Sequence, residues 1–236
     1  MTTTLITGAN KGLGFETARR LLAAGHTVWI GSRNAERGRA AAERLGARFV
    51  LLDVTDDSSV AAAVRTVEAA GTGLDVLVNN AGIEARKSDN GIVGAAEVTA
   101  EDMRTMFETN VFGLVRVTHA FLPLLRRSGA PVVVNVSSGL ASVSMLTDPA
   151  APAYGYPGVA YPASKAAVNM ATVQYAKALP EMRINAVEPG FTATDLNGRT
   201  GTQSVEEGAE IIVRMAQVDR DGPTGGYFDA KGRLPW

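Results

Sequence analysis

The chain has 236 residues, of which 46% are hydrophobic and 20% charged, and its formal net charge is −1. This length suits one large domain, the composition disfavours disorder, and the balanced charge disfavours nucleic acid or an anionic membrane as a partner. The absence of cysteine excludes disulfides, thiol catalysis and thiolate zinc sites. The two histidines, His26 and His119, are far apart in sequence, so we expect no metal centre.

Short apolar runs alternate with longer helical segments. The first half predicts strands at 5–7, 28–30, 48–52 and 75–78, and helices over about 12–24, 35–45 and 58–70. The second half predicts strands at 132–136, 184–187 and 226–228, and helices over about 100–127, 159–179 and from about 204. Because the strands are continuous apolar runs, we expect helices on both faces of the sheet. The fold class is therefore α/β, a Rossmann-type doubly wound parallel sheet of about seven strands, in a single domain over 1–236.

The segment from Met1 runs straight into the first strand pattern, without the basic and long apolar regions of a signal peptide. The most apolar long segment, 111–125, is interrupted by Arg116, His119 and Pro123 and does not suit a membrane span. We therefore expect a cytoplasmic protein without a membrane partner. Loops are predicted at 84–94, 144–158 and 195–203, and the last two follow strand ends where such folds bind ligands.

A glycine-rich loop lies between the first predicted strand and helix, and reads Thr7-Gly8-Ala9-Asn10-Lys11-Gly12-Leu13-Gly14. Gly8 would permit a tight turn, Gly12 would let the backbone approach a pyrophosphate, and Gly14 would let the helix pack closely on the sheet. The helix start would present free N–H groups to the anion. Glycine also occurs in ordinary turns, but a strand before and a helix after it favour dinucleotide binding.

The spacing Gly-x-x-x-Gly-x-Gly resembles the signature of the short-chain dehydrogenase/reductase superfamily, and Asn10-Lys11 resembles its carbonyl-reductase members. Further stretches resemble the same superfamily in the same order, and together they span nearly the whole chain. They are Asn79-Asn80-Ala81-Gly82, Thr109-Asn110-Val111-Phe112-Gly113, Val134-Asn135-Val136-Ser137-Ser138-Gly139, Tyr161-Pro162-Ala163-Ser164-Lys165, Pro189-Gly190-Phe191-Thr192-Ala193-Thr194 and 222–228.

The end of the second strand bears on the choice of cofactor. Enzymes that select NAD usually carry an acidic residue there, whereas this chain has Ser32 followed by Arg33. A guanidinium would pair with a 2′-phosphate, and Lys11 could add a second positive charge, so we predict NADP(H). The alternative is that Arg33 is a solvated residue at a helix entry. Asp53-Val54 resembles the adenine-contacting pair of the superfamily, although Asp53 alone would also suit a cap of the next turn.

Tyr161 and Lys165 are four residues apart on a predicted helix, so both side chains can point the same way. A phenol has a pKa of about 10, and a neighbouring ammonium should lower the pKa of Tyr161 toward the working range. On spacing alone such a pair is usually a surface feature. Ser138 follows a strand end. Asn110 lies inside a predicted helix, a position that does not favour asparagine. The alternative is that Asn110 is a packing residue that distorts the helix.

The resemblance implies a role for each of these residues. Tyr161 exchanges a proton with the carbonyl or alcohol oxygen, Ser138 hydrogen-bonds that oxygen, and Asn110 orders a water that passes protons to Lys165. Lys165 also lowers the pKa of Tyr161 and holds the nicotinamide ribose. The implied cofactor-lining residues are Asn80, Ala81 and Gly82 after the fourth strand and Pro189, Gly190, Phe191, Thr192 and Thr194 after the sixth.

Ser138 and Tyr161 are 23 positions apart, about ten more than in most members of the superfamily. The extra residues, within 145–158, are interpreted as part of the substrate pocket wall that also alters helix pairing between subunits. The alternative is a surface loop without consequence. A dimer, a tetramer and a monomer all stay open.

These features predict an NADPH-dependent reductase of a ketone or aldehyde, acting on a small-molecule carbonyl compound or alcohol. One alternative is an NAD-dependent alcohol dehydrogenase, which Ser32-Arg33 disfavours. Another is a non-catalytic NADP sensor that binds a protein partner, which the presence of Asn110, Ser138, Tyr161 and Lys165 disfavours.

Overall fold

The computed structural model describes residues 2–236, so Met1 lies outside the described residues. Its strands are β1 (Thr3–Thr7), β2 (Thr27–Ser32), β3 (Arg48–Leu51), β4 (Val76–Asn79), β5 (Val132–Val136), β6 (Arg183–Val187) and β7 (Tyr227–Phe228). They form one parallel sheet in the order β3-β2-β1-β4-β5-β6-β7. The strand order reverses between β1 and β4, where ligands bind in open α/β sheets. The predicted Rossmann-type α/β fold is confirmed.

The helices cover both faces of this sheet. They are α1 (Gly12–Ala23), α2 (Ala35–Leu45), α3 (Asp57–Ala69), α4 (Ala100–Phe107), α5 (Gly113–Leu125), α6 (Val143–Leu146), α7 (Ala160–Ala178) and α8 (Val205–Ala216). One core cluster packs α3, α5 and α7 against the sheet, and a second packs α1, α2 and α8 against the other face. Adjacent residues such as Leu5 and Ile6 belong to different clusters. Because successive strand residues face opposite sides, both must be apolar, which explains the continuous apolar runs.

The long helix predicted over about 100–127 is interrupted. A π-helical turn at Glu108–Phe112 separates α4 from α5 and contains Asn110. The extra residue of such a turn changes the direction in which side chains leave the helix, and these turns occur frequently at functional sites. The start of α4 agrees with prediction, since Thr99 and Asp102 form a capping box.

Two of the predicted loops contain short helical turns. The 145–158 insert follows a 3₁₀ turn at Gly139–Ala141, includes the second half of α6 and has a second 3₁₀ turn at Pro152–Gly155. The loop at 195–203 begins with a 3₁₀ turn at Asp195–Asn197. Within residues 2–236, no helix is long and apolar enough to cross a membrane. The cytoplasmic location itself stays a prediction from the sequence.

Candidate active site

A cleft of about 1230 Å³ lies at the carboxyl ends of the strands, where all the loops that follow β1 to β6 contribute to its wall. Most of the residues predicted to bind a cofactor line it. They are Gly8, Asn10, Lys11, Gly12, Leu13, Gly14, Arg33, Asp53, Val54, Asn80, Ala81, Gly82, Tyr161, Lys165, Pro189, Gly190, Phe191, Thr192 and Thr194. Ser138 lines the same cleft, whereas Ser32 and Asn110 do not.

The glycine loop has the backbone geometry that an anion site requires. Gly8 has a φ of 64°, a left-handed conformation that favours glycine. A Cβ at Gly14 would lie 2.6 Å from the Asn80 amide nitrogen and 2.9 Å from the Ala9 Cα, so only glycine allows this approach. No side chain caps the start of α1 at Lys11, and its first turn contains no acidic residue. The backbone N–H groups at this helix start are therefore suited to the pyrophosphate of a dinucleotide.

Asn80 supports this loop from the end of β4. Its Nδ2 donates to the Thr7 carbonyl at 2.8 Å, and the Thr7 hydroxyl accepts from the backbone N–H groups of Asn80 and Ala81 at 3.0 and 2.9 Å. These bonds connect two strand ends that are more than 70 residues apart. The Asn80 side chain thus fixes the glycine loop while its backbone lines the cleft.

At the carboxyl end of β2, Arg33 lines the cleft and Ser32 does not. Arg33 is exposed, lines the cleft and forms no ion pair with any residue of 2–236. Ser32 is only 2% exposed, and its hydroxyl donates to the Asn34 carbonyl at 3.0 Å. Ser32 is engaged with the turn before α2 and does not line the cleft, so cofactor binding by Ser32 stays a prediction from the sequence. A guanidinium without an acidic partner suits a phosphate.

Asp53 caps a turn, as one of its two sequence interpretations predicts, and its contact with adenine stays a prediction. Its Oδ1 accepts from the backbone N–H and the hydroxyl of Thr55 at 3.0 and 2.8 Å, so it caps the turn after β3. It also lines the cleft beside Val54. Arg116 donates to the Val54 carbonyl at 2.7 Å and fixes this turn from α5.

Lys11, predicted as a second positive charge for the cofactor, has a protein partner. Its Nζ lies 2.8 Å from Asp195 Oδ2, and both side chains are substantially exposed. Arg199 binds the other oxygen of the same carboxylate at 2.9 Å. The ion pair therefore connects the glycine loop to the loop at 195–203 across the cleft.

Ser138, Tyr161 and Lys165 meet on the opposite side of the cleft. Lys165 is buried, its Nζ donates to the Val136 carbonyl at 2.8 Å, and this nitrogen lies 5.7 Å from the centroid of the Tyr161 ring. A hydrogen-bonding interaction with the Ser138 side chain lowers the pKa of Tyr161. Burial lowers the pKa of Lys165 to about 8. These three side chains form one hydrogen-bonding and charged group beside the cleft.

The pKa of Tyr161 moves in the direction opposite to that expected. Burial, followed by the negative charge of Glu84, raises the pKa of Tyr161 well above its usual value, and the bond from Ser138 opposes this rise. The expectation that Lys165 lowers this pKa is not met by the protein residues, because the ammonium is directed at the Val136 carbonyl. Tyr161 is consequently a neutral phenol at neutral pH, which suits a proton donor.

The side chain of Asn110 is bound to backbone rather than open to the cleft. Its Oδ1 accepts from the Ile83 N–H at 2.8 Å, and its Nδ2 donates to the Ile83 carbonyl at 2.9 Å and to Ser164 Oγ at 3.0 Å. Asn110 therefore positions the segment after β4. These bonds agree with the packing role considered for Asn110 from the sequence, and its link to a proton-passing water stays a prediction.

Three charged residues at the site were not identified from the sequence, namely Glu84, Arg86 and Glu188. The loop after β4 contributes Glu84 and Arg86, and the loop after β6 contributes Glu188. Burial raises the pKa of Glu188, while backbone N–H groups of Gly190 and Gly139 bind its carboxylate and lower it. Acidic and basic residues directly after the Asn80-Ala81-Gly82 motif were the available signal, but loops usually carry such charges on the surface.

Residues of the insert at 145–158 form part of the cleft wall, and the interpretation that this part holds the substrate stays a prediction. The wall residues from the insert are Met145, Pro152, Ala153, Gly155, Tyr156 and Pro157. The insert is joined to the loop after β4 by a bridge between Gly94 and Gly158 and by the Ala95 N–H, which donates to the Pro157 carbonyl at 3.1 Å.

Comparison with known proteins agrees with this geometry. The family model described as short chain dehydrogenase matches residues 2–204. A (+)-neomenthol dehydrogenase of Capsicum annuum is 30% identical over 302 aligned residues, covering 96% of this chain and 95% of that protein. The structure of salutaridine reductase from Papaver somniferum is similar with a TM-score of 0.84 and 28% identity, over 97% of this chain and 99% of that one. A gluconate 5-dehydrogenase from Burkholderia cenocepacia, solved with NADP and tartrate, has a TM-score of 0.80 and 25% identity, over 97% and 93% of the two chains.

Proposed function

The chain belongs to the short-chain dehydrogenase family of oxidoreductases, and from this premise we propose that it reduces a ketone or aldehyde to an alcohol with NADPH. The observation that carries the proposal is the convergence of two sets of residues on one cleft. The glycine loop and Arg33 line one part, and Ser138, Tyr161 and Lys165 line the other. A dinucleotide extended between them would bring its nicotinamide to the phenol.

The cofactor, when bound, supplies the hydride. Tyr161, kept protonated by burial, donates a proton to the substrate oxygen. The Ser138 hydroxyl hydrogen-bonds that oxygen as negative charge develops on it. Lys165 holds the nicotinamide ribose, and its fixed bond to the Val136 carbonyl keeps the ammonium in place between turnovers. In the alcohol-oxidation direction the same proton returns to Tyr161.

The preference for NADP(H) over NAD(H) is argued from Arg33. Its guanidinium lines the cleft after β2 without an ion-pair partner among residues 2–236, and the residue that ends β2 is Ser32 instead of an acid that would repel a 2′-phosphate. Lys11 could contribute a second charge once it leaves Asp195. The NADP complex of the related gluconate 5-dehydrogenase supports the same choice.

The substrate is proposed to be a bulky, largely apolar ketone. Several apolar side chains form part of the cleft wall, namely Leu140, Met145, Pro152, Phe191 and Leu196. The names of two relatives, a neomenthol dehydrogenase and a salutaridine reductase, point to ring-containing compounds. Cyclic ketones are therefore the first class to test.

The test is a titration of the purified protein with NADPH and NADH, followed by NADPH consumption with cyclic ketones, quinones, β-ketoesters and aromatic aldehydes. We expect NADPH to bind about tenfold more tightly than NADH, or more, and cyclic ketones to be reduced. Equal affinity for both cofactors would contradict the role of Arg33. Tight NADPH binding without turnover of any carbonyl class would favour the non-catalytic sensor.

A further inference from the structure

A buried polar cluster interrupts the otherwise apolar substrate side of the cleft. The Tyr156 hydroxyl donates to Glu84 Oε1 at 2.6 Å, and the Arg86 guanidinium donates to Glu84 Oε2 at 2.9 and 2.6 Å. The Glu84 side chain is 6% exposed and that of Arg86 16%. Both carboxylate oxygens thus have partners, which a charge at this depth requires.

The backbone on either side of this cluster is fixed. Glu84 follows Ile83, whose N–H and carbonyl are both bound by Asn110. Tyr156 precedes Pro157 and Gly158, which are joined to Ala95 and Gly94 of the loop after β4. The Glu84–Tyr156 bond therefore joins two segments whose positions are already set, and it spans 72 residues of sequence.

We propose that Glu84 is a positioning residue for the reaction, holding Tyr156 of the insert against the loop after β4 and placing a negative charge in the cleft that Tyr161 also lines. This inference rests on the proposed function, because it concerns the proton that Tyr161 donates. Glu84, Arg86, Tyr156 and Tyr161 all line the same cleft. Arg86 is the countercharge that allows Glu84 to be buried.

The two charges act on Tyr161 in opposite directions. After burial, the Glu84 carboxylate is the largest cause that raises the pKa of Tyr161, and the Arg86 guanidinium lowers it. Other groups that face Tyr161 come from several elements, namely Glu188 after β6, Ser138 after β5, Lys165 on α7, Tyr156 in the insert and Tyr227 on β7. Glu188 also raises the pKa of Tyr161, but more weakly than Glu84 does. Removal of the Glu84 charge should therefore lower this pKa, and removal of the Arg86 charge should raise it.

This pair predicts a signed change in the pH dependence of alcohol oxidation, in which Tyr161 must lose its proton. Glu84→Gln removes the negative charge at nearly constant shape, so the rise of kcat/KM with pH should move to lower pH by roughly half a unit. Arg86→Gln removes the positive charge and should move the same rise to higher pH. Opposite shifts from adjacent, contacting residues would not follow from general loosening of the pocket.

The controls separate charge from structure. Tyr156→Phe deletes the hydrogen bond to Glu84 without changing any charge, and should raise KM while leaving the pH of the inflection in place. Glu84→Asp keeps the charge, and should have its inflection nearer to wild type than Glu84→Gln. Circular dichroism and NADPH affinity report whether each variant is folded and binds cofactor.

The experiment is the pH profile of kcat/KM for NADP⁺-dependent oxidation of an alcohol product, measured for the wild type and these four variants. Opposite shifts for Glu84→Gln and Arg86→Gln, with an unmoved inflection for Tyr156→Phe, are the expected result. Shifts of the same sign, or an inflection in Tyr156→Phe that moves as far as in Glu84→Gln, would overturn the inference. An inactive wild type would instead contradict the proposed function, so the two failures are distinguishable.

Discussion

The cofactor side and the substrate side of the cleft are held by different kinds of interaction. On the cofactor side, the Asn80 amide and the Thr7 hydroxyl bind backbone groups at the ends of β1 and β4. On the substrate side, the loop after β4 and the insert meet through a side-chain cluster, Glu84 with Arg86 and Tyr156, and through isolated bridges. Hydrogen bonds to strand-end backbone fix the cofactor side, whereas contacts among a few loop side chains shape the substrate side. Substitutions should therefore affect the two sides separately.

The largest effect is expected where the two sides meet. Tyr161→Phe removes the proton donor without altering the glycine loop, so kcat should fall by about 100-fold to 10,000-fold while NADPH affinity changes by less than about twofold. Steady-state kinetics and a fluorescence titration measure both. Tyr175→Phe, on the same helix but packed against the core, is the matched control and should keep wild-type kinetics. A Tyr161→Phe enzyme with near-normal kcat would refute the assigned role.

A change confined to the cofactor side should leave the chemistry intact. Arg33→Ala removes the unpaired guanidinium, and should weaken NADPH binding by about tenfold to a hundredfold without weakening NADH binding. Arg37→Ala, an exposed arginine of α2 that does not line the cleft, is the control. An equal loss of affinity for both cofactors would show that Arg33 acts on something other than the 2′-phosphate.

Lys165 offers a test in which function and stability oppose each other. Burial lowers its pKa from 10.5 to about 8, so the unfolded chain binds more protons than the folded protein between these values. Wild-type stability should therefore rise with pH across this window, and burial of the ammonium destabilises the fold below it. Lys165→Met should raise the free energy of unfolding at neutral pH by about 2 kcal/mol, after loss of the bond to Val136, while abolishing turnover.

Urea denaturation over a pH series measures this change. The advantage of Lys165→Met should shrink as the pH approaches the ordinary lysine value, and Lys177→Met, an exposed lysine on the same helix, should show no such trend. The claim that burial of the Lys165 ammonium destabilises the fold would be contradicted if Lys165→Met were less stable than wild type at neutral pH. It would also be contradicted if the gain in the free energy of unfolding did not depend on pH.

The smallest effect is expected at the ion pair across the cleft. Both side chains of Lys11 and Asp195 are exposed, so Asp195→Asn should change the free energy of unfolding by less than about 1 kcal/mol. It should also free Lys11 and tighten NADPH binding a few-fold at low salt. Glu97→Gln, which removes a similarly exposed pair with Lys87, is the control. Weaker NADPH binding in Asp195→Asn would mean that the pair organises the site instead of competing for it.

The same division explains how much was predictable from sequence. The sheet, the glycine loop and the positions of Ser138, Tyr161 and Lys165 follow from local patterns, because each motif directly follows a strand or starts a helix. Ser32 does not line the cleft, because the sequence indicates where β2 ends but not the direction in which its side chains point. The π-helical turn at Asn110 was not predicted, and its only sequence signal was an asparagine inside a predicted helix.

The substrate side was less predictable for a physical reason. The Glu84–Tyr156 bond joins residues 72 positions apart, and no local pattern indicates which loop tyrosine meets which loop carboxylate. The direction of the Tyr161 pKa shift depends on burial and on this same carboxylate, so the spacing of Tyr161 and Lys165 alone suggested the opposite sign. Interactions between loops are set by the tertiary structure, and local motifs do not report them.

The central claim is that Tyr161 delivers the proton and that NADPH binding does not depend on this residue. The most direct test is a single-turnover experiment. Wild-type protein and Tyr161→Phe are each loaded with stoichiometric NADPH and mixed with a ketone that the wild type reduces. We predict rapid loss of the absorbance of bound NADPH in the wild type, and no comparable loss in Tyr161→Phe at equal cofactor affinity. Equal rates of NADPH oxidation in the two proteins would contradict the account.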